Sequence, residues 1–300
     1  MNYKKYLKSQ KLRFAILNLL KWVPDKAMIK LQYRIKLGRK LNLKKPQRFT
    51  EKLQWYKLYY RNPEMHKCVD KYEVRNYIKS KGLENILNEL YGVYDSPEEI
   101  KFNKLPNKYV IKTTSGGGGQ NVLIVDKNSK NNYNEIKRKL NKWLSIKTDK
   151  SFGREWAYEG NSNRIIIEKY LESPEQGIID YKFFCFDGKV EYLYVISERN
   201  LGNNAKLGIY DKNFHKLDVS RKDEKIQTKP INRPKNYSKM VEYAEIISQD
   251  FPHARIDLYN INGKIIFGEI TFYDGSGYMS FEPDSFDYEL GKNFKLRKRG

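Results

Sequence analysis

Cysteine is nearly missing from this chain: Cys68 and Cys185 are the two among 300 residues. Two thiols are too few for a disulfide framework, and such scarcity fits a reducing compartment. Histidine is almost as rare. His66, His215 and His253 are the whole complement, and none is spaced for a metal cluster or a nucleophilic triad, so each reads as a surface or packing residue. Long apolar runs are missing too. The run from Leu12 to Val23 contains Arg13, Asn18 and Lys21 and is too short and polar to cross about 30 Å of hydrocarbon. No cleavable signal peptide is visible. No Gly-Lys-Ser/Thr follows the glycines at 116–119, which excludes a Walker A loop. No helix opens on them at dinucleotide spacing, which excludes a Rossmann fingerprint. Acidic residues are scarce near the start. Residues 1–60 carry seventeen Lys and Arg against Asp25 and Glu51 alone.

What is present is basic charge in excess, a net +22 with a pI of about 9.6. A basic stretch as dense as the first 60 residues implies an anionic partner or a solvated basic face. The length suits one large domain or a few small lobes. Residues 1–45 read as helical, with Leu12, Ile16, Leu19, Leu20 and Val23 on one stripe among lysines. Such a helix can lie in a lipid head-group layer, or it can cover the body of the protein. Thr50 is placed to cap a second helix, whose Leu53, Trp55, Tyr56, Leu58 and Tyr59 read as core. Val69–Gly82 reads as a third helix, stopped at Gly82. It carries Lys71 and Arg75 four apart on one face.

From about Leu87 the period changes. Tyr109–Thr114 reads as a strand carrying Lys112. Ser115, Gly116, Gly117, Gly118 and Gly119 follow, and a second strand runs from Asn121. A glycine loop between adjacent strands lets backbone N–H groups approach an anion closely. A plain glycine-rich hairpin is the simpler reading. A helix over Tyr133–Ile146, a loop over 151–163 and a buried strand from Arg164 to Leu171 come next. Asp180–Phe186 and Lys189–Ile196 form a hairpin across Asp187-Gly188, with Lys182 on its first strand. A helix over Asn236–Gln249 precedes a second hairpin. The tail from Lys292 is basic. Helices first, then mixed units with antiparallel hairpins, make the chain α+β.

In that last hairpin, Arg255, Asp257 and Glu269 alternate with apolar residues, the pattern of two half-buried strands. Asn262-Gly263 between them is a strong signal for a type I′ turn. The turn brings the strands together, so Asp257 and Glu269 can face one space beside Arg255. Two carboxylates so placed suit a hard cation, Mg²⁺ with nucleotide phosphates. An exposed ion-pair ladder is the plainer reading.

The motifs in order are Lys71, Lys112 before the glycine loop, Ile167-Glu168-Lys169-Tyr170-Leu171, Asp180-Tyr181-Lys182, Arg255-x-Asp257 and Glu269-x-Thr271. This series resembles the ATP-grasp superfamily. Phe49-x-Glu-Lys-Leu-Gln-Trp55, Asp180–Phe186 and Gly268-Glu-Ile-Thr-Phe-Tyr273 make it most similar to the TupA-like (teichuronopeptide-biosynthesis) branch, often labelled glycosyltransferase. The resemblance implies two α+β lobes clamping ATP: a first lobe over residues 67–170 and a second over 171–292. A basic helical region, 1–66, precedes them and a basic tail, 293–300, follows. It further implies that Lys71, Lys112 and Lys182 meet the phosphates and that the 115–120 loop covers them. Glu168, Lys169 and Leu171 would form the hinge that reads adenine. Asp257, Glu269 and Thr271 would hold Mg²⁺, with Thr271 where the family usually carries asparagine. Arg255 would meet the transferred phosphoryl group, and Ser276 would stand near the acyl intermediate.

The activity implied is ATP-dependent joining of a carboxylate to an amine, ADP-forming, in bacterial cell-surface polysaccharide assembly. The substrate class is a sugar acid or amino acid, free or lipid-linked. An anionic membrane surface would meet residues 1–45, the location would be cytoplasmic at the inner face of the membrane, and no specific nucleic acid is expected. ATP-grasp chemistry needs no nucleophilic side chain, which agrees with the missing triad. A glycosyltransferase is the rival enzyme, although the Asp-x-Asp motif many of them use is absent. A phosphotransferase on the same fold is a third enzymatic reading, and a basic anion-binding module is the non-enzymatic one.

Overall fold

The chain is seen in a computed structural model that describes residues 9–116, 121–146, 151–172, 177–198, 205–229 and 231–297. It opens with α1 (Gln10–Leu19), α2 (Asp25–Leu37) and α3 (Phe49–Tyr59). Asp25 sits in the first turn of α2, and Gly38 ends that helix in the left-handed region at φ 72°. The cap of α3 falls on Arg48 rather than on the expected Thr50. Glu51 accepts the backbone N–H groups of Asn42, Gln47 and Arg48 at 3.3, 3.0 and 3.2 Å. The Thr50 hydroxyl is committed to tertiary partners, Asp287 at 2.8 Å and Tyr33 at 2.9 Å. After α4 (Pro63–Cys68), the expected third helix is shortened to α5 (Val74–Ser80). Asp70 accepts the N–H groups of Tyr72 and Glu73 at 2.8 and 2.9 Å and so holds the residues before α5 as a turn.

The first sheet contains β1 (Leu90–Tyr94), β2 (Lys108–Thr113), β3 (Val122–Asp126) and β4 (Ile165–Lys169), all antiparallel, in the order β1-β4-β2-β3. Burial alternates along β2, with Tyr109, Ile111 and Thr113 inward. Between β3 and β4 runs α6 (Tyr133–Leu144), whose Leu140 and Trp143 share a core with Tyr109, Ile111, Ile165 and Ile167.

The second sheet is larger. It contains β5 (Asp180–Phe186), β6 (Lys189–Ser197) and β7 (Lys206–Asp211). A small pairing strand, β8 (Ser220–Arg221), leaves the sheet before β9 (Lys225–Ile226) rejoins it. Then come α7 (Tyr237–Ser248), β10 (His253–Ile261) and β11 (Lys264–Thr271). The order is β11-β10-β5-β6-β7-β9, with only the β7–β9 pairing parallel. Both hairpin turns read from the sequence are present. Asp187 and Gly188 have φ of 48° and 73°, and Asn262 and Gly263 have 54° and 87°.

One face of this sheet is apolar. Phe183, Cys185, Ala254, Ile256 and Leu258 lie in one buried cluster with Met240, Ala244 and Ile247 of α7. The opposite face is divided. At the start of β10 it is aromatic, where Phe49 of α3 packs on Phe184, Phe186 and His253. Further along it is charged. After β12 (Phe281–Glu282), which pairs with β8, the last helix α8 (Phe286–Asn293) lies against α3. The approach is close: a Cβ on Gly291 would stand 2.0 Å from the Gln47 carbonyl oxygen. Thus α3 and α8 share one core with the second sheet. Among the described residues no helix is long and apolar enough to cross a membrane.

Candidate active site

Strand register builds the charged face. Asp257 lies opposite Lys182 on β5 and opposite Glu269 on β11, while Arg255 lies opposite Thr271. Residues two apart on a strand share a face, so all five side chains point the same way. Gly268 sits where the register shifts between Asp257 and Leu258. A Cβ there would meet the Asp257 carbonyl oxygen at 2.9 Å, so a residue without one suits this approach.

Arg255 gathers the group. Its Nε and Nη2 donate to Asp257 Oδ1 and Oδ2, both at 2.7 Å, and Nη2 also reaches Thr271 Oγ1 at 3.0 Å and Glu269 Oε1 at 3.2 Å. Nη1 donates to Asp274 Oδ1. Asp274 in turn faces Arg221 at 3.6 Å. Lys182 donates to Asp257 and lies 2.7 Å from Asp180. Burial alone would lower the Lys182 pKa, but Asp257 and Asp180 outweigh it and hold the ammonium charged. Burial likewise pushes Asp257 up, and Arg255 and Lys182 bring it below the usual carboxylate range.

A second set of charged residues lies on the first sheet and on the segment leading into α5. Lys112 pairs with Glu168 at 2.9 Å, and Arg75 approaches the same carboxylate at 3.4 Å. The Lys71 backbone donates to Thr114 O at 3.0 Å and its ammonium to Gly116 O at 2.5 Å. Burial lowers the Lys71 pKa; Glu269 opposes the shift and Lys112 adds to it. Lys71 therefore feels a carboxylate of the second sheet and a lysine of the first. Ser115 is buried, and its carbonyl accepts from Thr113 Oγ1 at 2.8 Å. Gly117, Gly118 and Gly119 lie outside the described residues.

Glu168 and Lys169 end β4, and half-buried Leu171 follows. Both backbone groups of Lys169 are engaged, its N–H by Glu89 O at 3.0 Å and its carbonyl by Asn88 Nδ2 at 2.9 Å. Ser276 stands away from the carboxylate row, in a turn after Asp274. Its hydroxyl and carbonyl accept from Lys57 Nζ at 3.0 and 2.7 Å.

Sequence reasoning gave no role to Lys57, to Asp180 as the partner of Lys182, to Asp274 as the partner of Arg255, or to Glu155. Lys57 left one signal. It follows Tyr56 on the stripe Phe49, Leu53, Tyr56, Tyr60, where a solvated lysine would not belong.

Among the described residues there is no group of three or more His, Cys, Asp and Glu arranged around a metal position. The oxygen donors expected for Mg²⁺ are still together. Asp257 Oδ2, Thr271 Oγ1 and Glu269 Oε1 lie within 3.2 Å of a single nitrogen, Arg255 Nη2. Hard oxygen donors converging on one cation fit Mg²⁺ in kind.

The chain belongs to the TupA-like ATPgrasp family, whose model matches residues 51–295. Its paired α+β sheets are the ATP-grasp fold. Among solved structures, the D-alanine–D-alanine ligase of Bacillus anthracis is 19% identical with a TM-score of 0.42, covering 69% of this chain and 57% of that one. The D-alanine–D-alanine ligase of Helicobacter pylori is 16% identical with a TM-score of 0.45, covering 82% and 68%. An L-amino acid ligase of Bacillus licheniformis is 15% identical with a TM-score of 0.40, covering 70% and 42%. The chain thus spans 57% of the length of the Bacillus anthracis ligase. No curated protein matches it.

His253, two residues before Arg255, generates a pH test. It is fully buried beside Phe49, Phe184, Phe186 and Phe294, and its Nδ1–H donates to Cys185 O at 3.0 Å. Burial lowers its pKa from 6.5 to about 4. The unfolded chain takes a proton in that window that the folded one refuses. Stability attributable to His253 is therefore lost as pH falls from about 6.5 towards 4, by up to about 1.4 kcal/mol per pH unit. Denaturant titrations over this range should give a shallower slope for His253→Phe than for the wild type. Equal slopes would contradict the assignment.

Proposed function

We propose that this chain is an ATP-dependent, ADP-forming ligase that joins a carboxylate to an amine. One observation carries the reading: Asp257, Glu269 and Thr271 converge on Arg255 beside Lys182, and the charges of Glu269 and Lys112 both act on Lys71. Such an arrangement suits a triphosphate with its cation.

Within this reading Lys71 and Lys112 meet the phosphates, with Ser115, Gly116, Gly117, Gly118 and Gly119 over them. Lys182 joins once nucleotide oxygens compete with Asp180 and Asp257 for its ammonium. Glu168 lies beside the nucleotide, and adenine reading rests on Leu171, since both backbone groups of Lys169 are engaged. Asp257, Glu269 and Thr271 would hold Mg²⁺, which when bound neutralises phosphate charge. Arg255 orients the transferred phosphoryl group, and Ser276 stands on the acyl side. A substrate carboxylate oxygen attacks the γ-phosphorus and the bond to ADP breaks. The amine nitrogen then attacks the acyl carbon, phosphate leaves and the amine loses a proton. The residues contribute position and fixed charge rather than a nucleophile.

The substrate proposed is a sugar acid or amino acid, carried on a lipid during cell-surface polysaccharide assembly. The family resemblance and the N-terminal surface support this. Trp22 and Leu19 are 80% and 74% exposed. Leu12, Leu31 and Ile35 are exposed nearby, among exposed Lys26, Lys30 and Arg34. Apolar side chains interspersed with cations fit an anionic lipid surface.

Two experiments test these proposals. ADP release screened against uronic and amino acids with amine acceptors should find a pair that turns over. Lys112→Ala should weaken ATP binding by about tenfold or more, as for a lost charge-assisted hydrogen bond. Unchanged affinity in the folded variant, or release of a nucleoside diphosphate from a nucleotide sugar instead, would contradict the reading. For the surface, each cation near an anionic leaflet contributes about 1 kcal/mol, screened over about 10 Å at about 0.1 M salt. The protein should sediment with anionic vesicles, far less with neutral ones, and be released by salt. Failure to bind anionic vesicles at low salt would remove the membrane claim.

A further inference from the structure

Lys57 lies in α3 on the side that faces the protein interior, and only 1% of its surface is exposed. Its ammonium donates to Gly153 O at 2.9 Å, Ser276 O at 2.7 Å and Ser276 Oγ at 3.0 Å. Three donors thus meet three acceptors from two separate loops. Glu155, in the first of these loops, lies 3.8 Å away, and the Tyr278 ring, after the second, lies 4.8 Å away. Burying an ammonium is costly unless it is fully partnered, so these contacts hold the loops as firmly as they hold the lysine.

The second loop needs such a hold. Gly275, Ser276 and Gly277 have φ of 49°, 55° and 66°, all in the left-handed region. Ser276 is strained there for a residue with a side chain. From the preceding turn of α3, Gln54 Nε2 donates to Ser276 O at 3.1 Å and Gly277 O at 2.8 Å. From α2, Gln32 donates to Phe152 O and accepts from the Tyr278 hydroxyl, both at 2.8 Å. Asp274, the residue before this turn, receives Arg255 Nη1. A continuous path therefore runs from Lys57 through the Ser276 turn to Asp274 and Arg255.

We propose that Lys57 is a positioning residue: its ammonium ties the loop at Gly153–Glu155 to the turn at Ser276 and so fixes Ser276 and Arg255 for transfer to the acceptor. The inference deepens the ligase reading and rests on it for the transfer step alone.

A titration follows from the burial. Burial lowers the Lys57 pKa from 10.5 to about 8; Glu155 opposes that shift and Lys36 adds to it. Those two and Tyr278 are the titratable groups that face the ammonium. A neutral amine has two N–H groups for three acceptors, so the clamp loosens as pH rises through about 8. Stability moves the other way. Between about 8 and 10.5 the unfolded chain holds the proton that the folded one has released, so the Lys57 contribution to stability rises with pH. A lysine that merely packed would show the stability change and no change in turnover.

The test compares the full-length wild type with Lys57→Met from about pH 7 to about pH 9.5. At the lower pH, amide exchange at Ser276 and Tyr278 should be about tenfold faster in the variant, and kcat for amine-dependent ADP release about tenfold lower, with ATP affinity unchanged. The wild type should lose turnover and amide protection through about pH 8, after correction for intrinsic exchange, and the variant should show neither step. Equal exchange and kcat in the two proteins, or a step near pH 8 that survives in the variant, would overturn the proposal. If the variant does not fold, exchange at Ser276 and Tyr278 in the wild type decides alone: protection that does not change through pH 8 overturns it. If no acceptor supports ADP release, the ligase reading fails, and the exchange measurement still decides the clamp.

Discussion

The structure depends on the burial of one guanidinium. Arg255 is 8% exposed and sits mid-sheet, on a strand flanked by β5 and β11. A buried cation is tolerated only where anions and hydrogen-bond acceptors surround it. The flanking strand β11 supplies Glu269 and Thr271, its own strand supplies Asp257, and the turn after β11 supplies Asp274. Asp257 is then shared with Lys182, and Asp274 with Arg221. The result is a patch of alternating charge on adjacent strands, in which Arg255, Lys182, Asp257 and Asp274 each have more than one charged partner.

That patch has a direction. Lys182, Arg255 and Arg221 meet Asp180, Asp257, Asp274 and Glu269, so acid slightly exceeds base. Burial lowers the pKa of Lys71, the charge of Glu269 opposes that shift and Lys112 adds to it. Phosphate bound here would satisfy the lysines, and its cation would share the carboxylates. Fixed charges aimed at a polyanion need little rearrangement to hold it. Gly116 lies just past the end of β2 and accepts from the Lys71 ammonium at 2.5 Å.

Much of this is legible in the sequence because it is local. Period-two alternation places Arg255 and Asp257 on one face, and Asn262-Gly263 fixes the turn, but that turn alone would set Asp257 opposite Gly268; the register shift at Gly268 brings Glu269 opposite Asp257 instead. Lys112 stands on the strand before the glycines, as its neighbours predict. The rest is hidden because distant residues decide it. Thr50 carries a cap's side chain but gives it to Asp287 and Tyr33. The partners of Lys57 come from two loops more than ninety residues away, and nothing near it in the sequence reveals them. Which atoms bind Lys169 depends on Asn88 and Glu89, and nothing near Lys169 reveals them. Spacing shows which residues share a face; it does not show which face another segment will cover.

The central claim is that the carboxylate row of the second sheet, Lys112 of the first sheet and Lys71 before α5 bind one Mg²⁺–ATP. Calorimetric titration of ATP into the wild type and into Glu269→Gln, each with and without Mg²⁺, tests it most directly. The substitution keeps the side chain's shape and removes one charge. The account predicts that Mg²⁺ strengthens ATP binding in the wild type, that this gain is largely lost in the variant, and that metal-free binding remains in both. An equal gain from Mg²⁺ in the two proteins, or no ATP binding by the folded wild type, would contradict it.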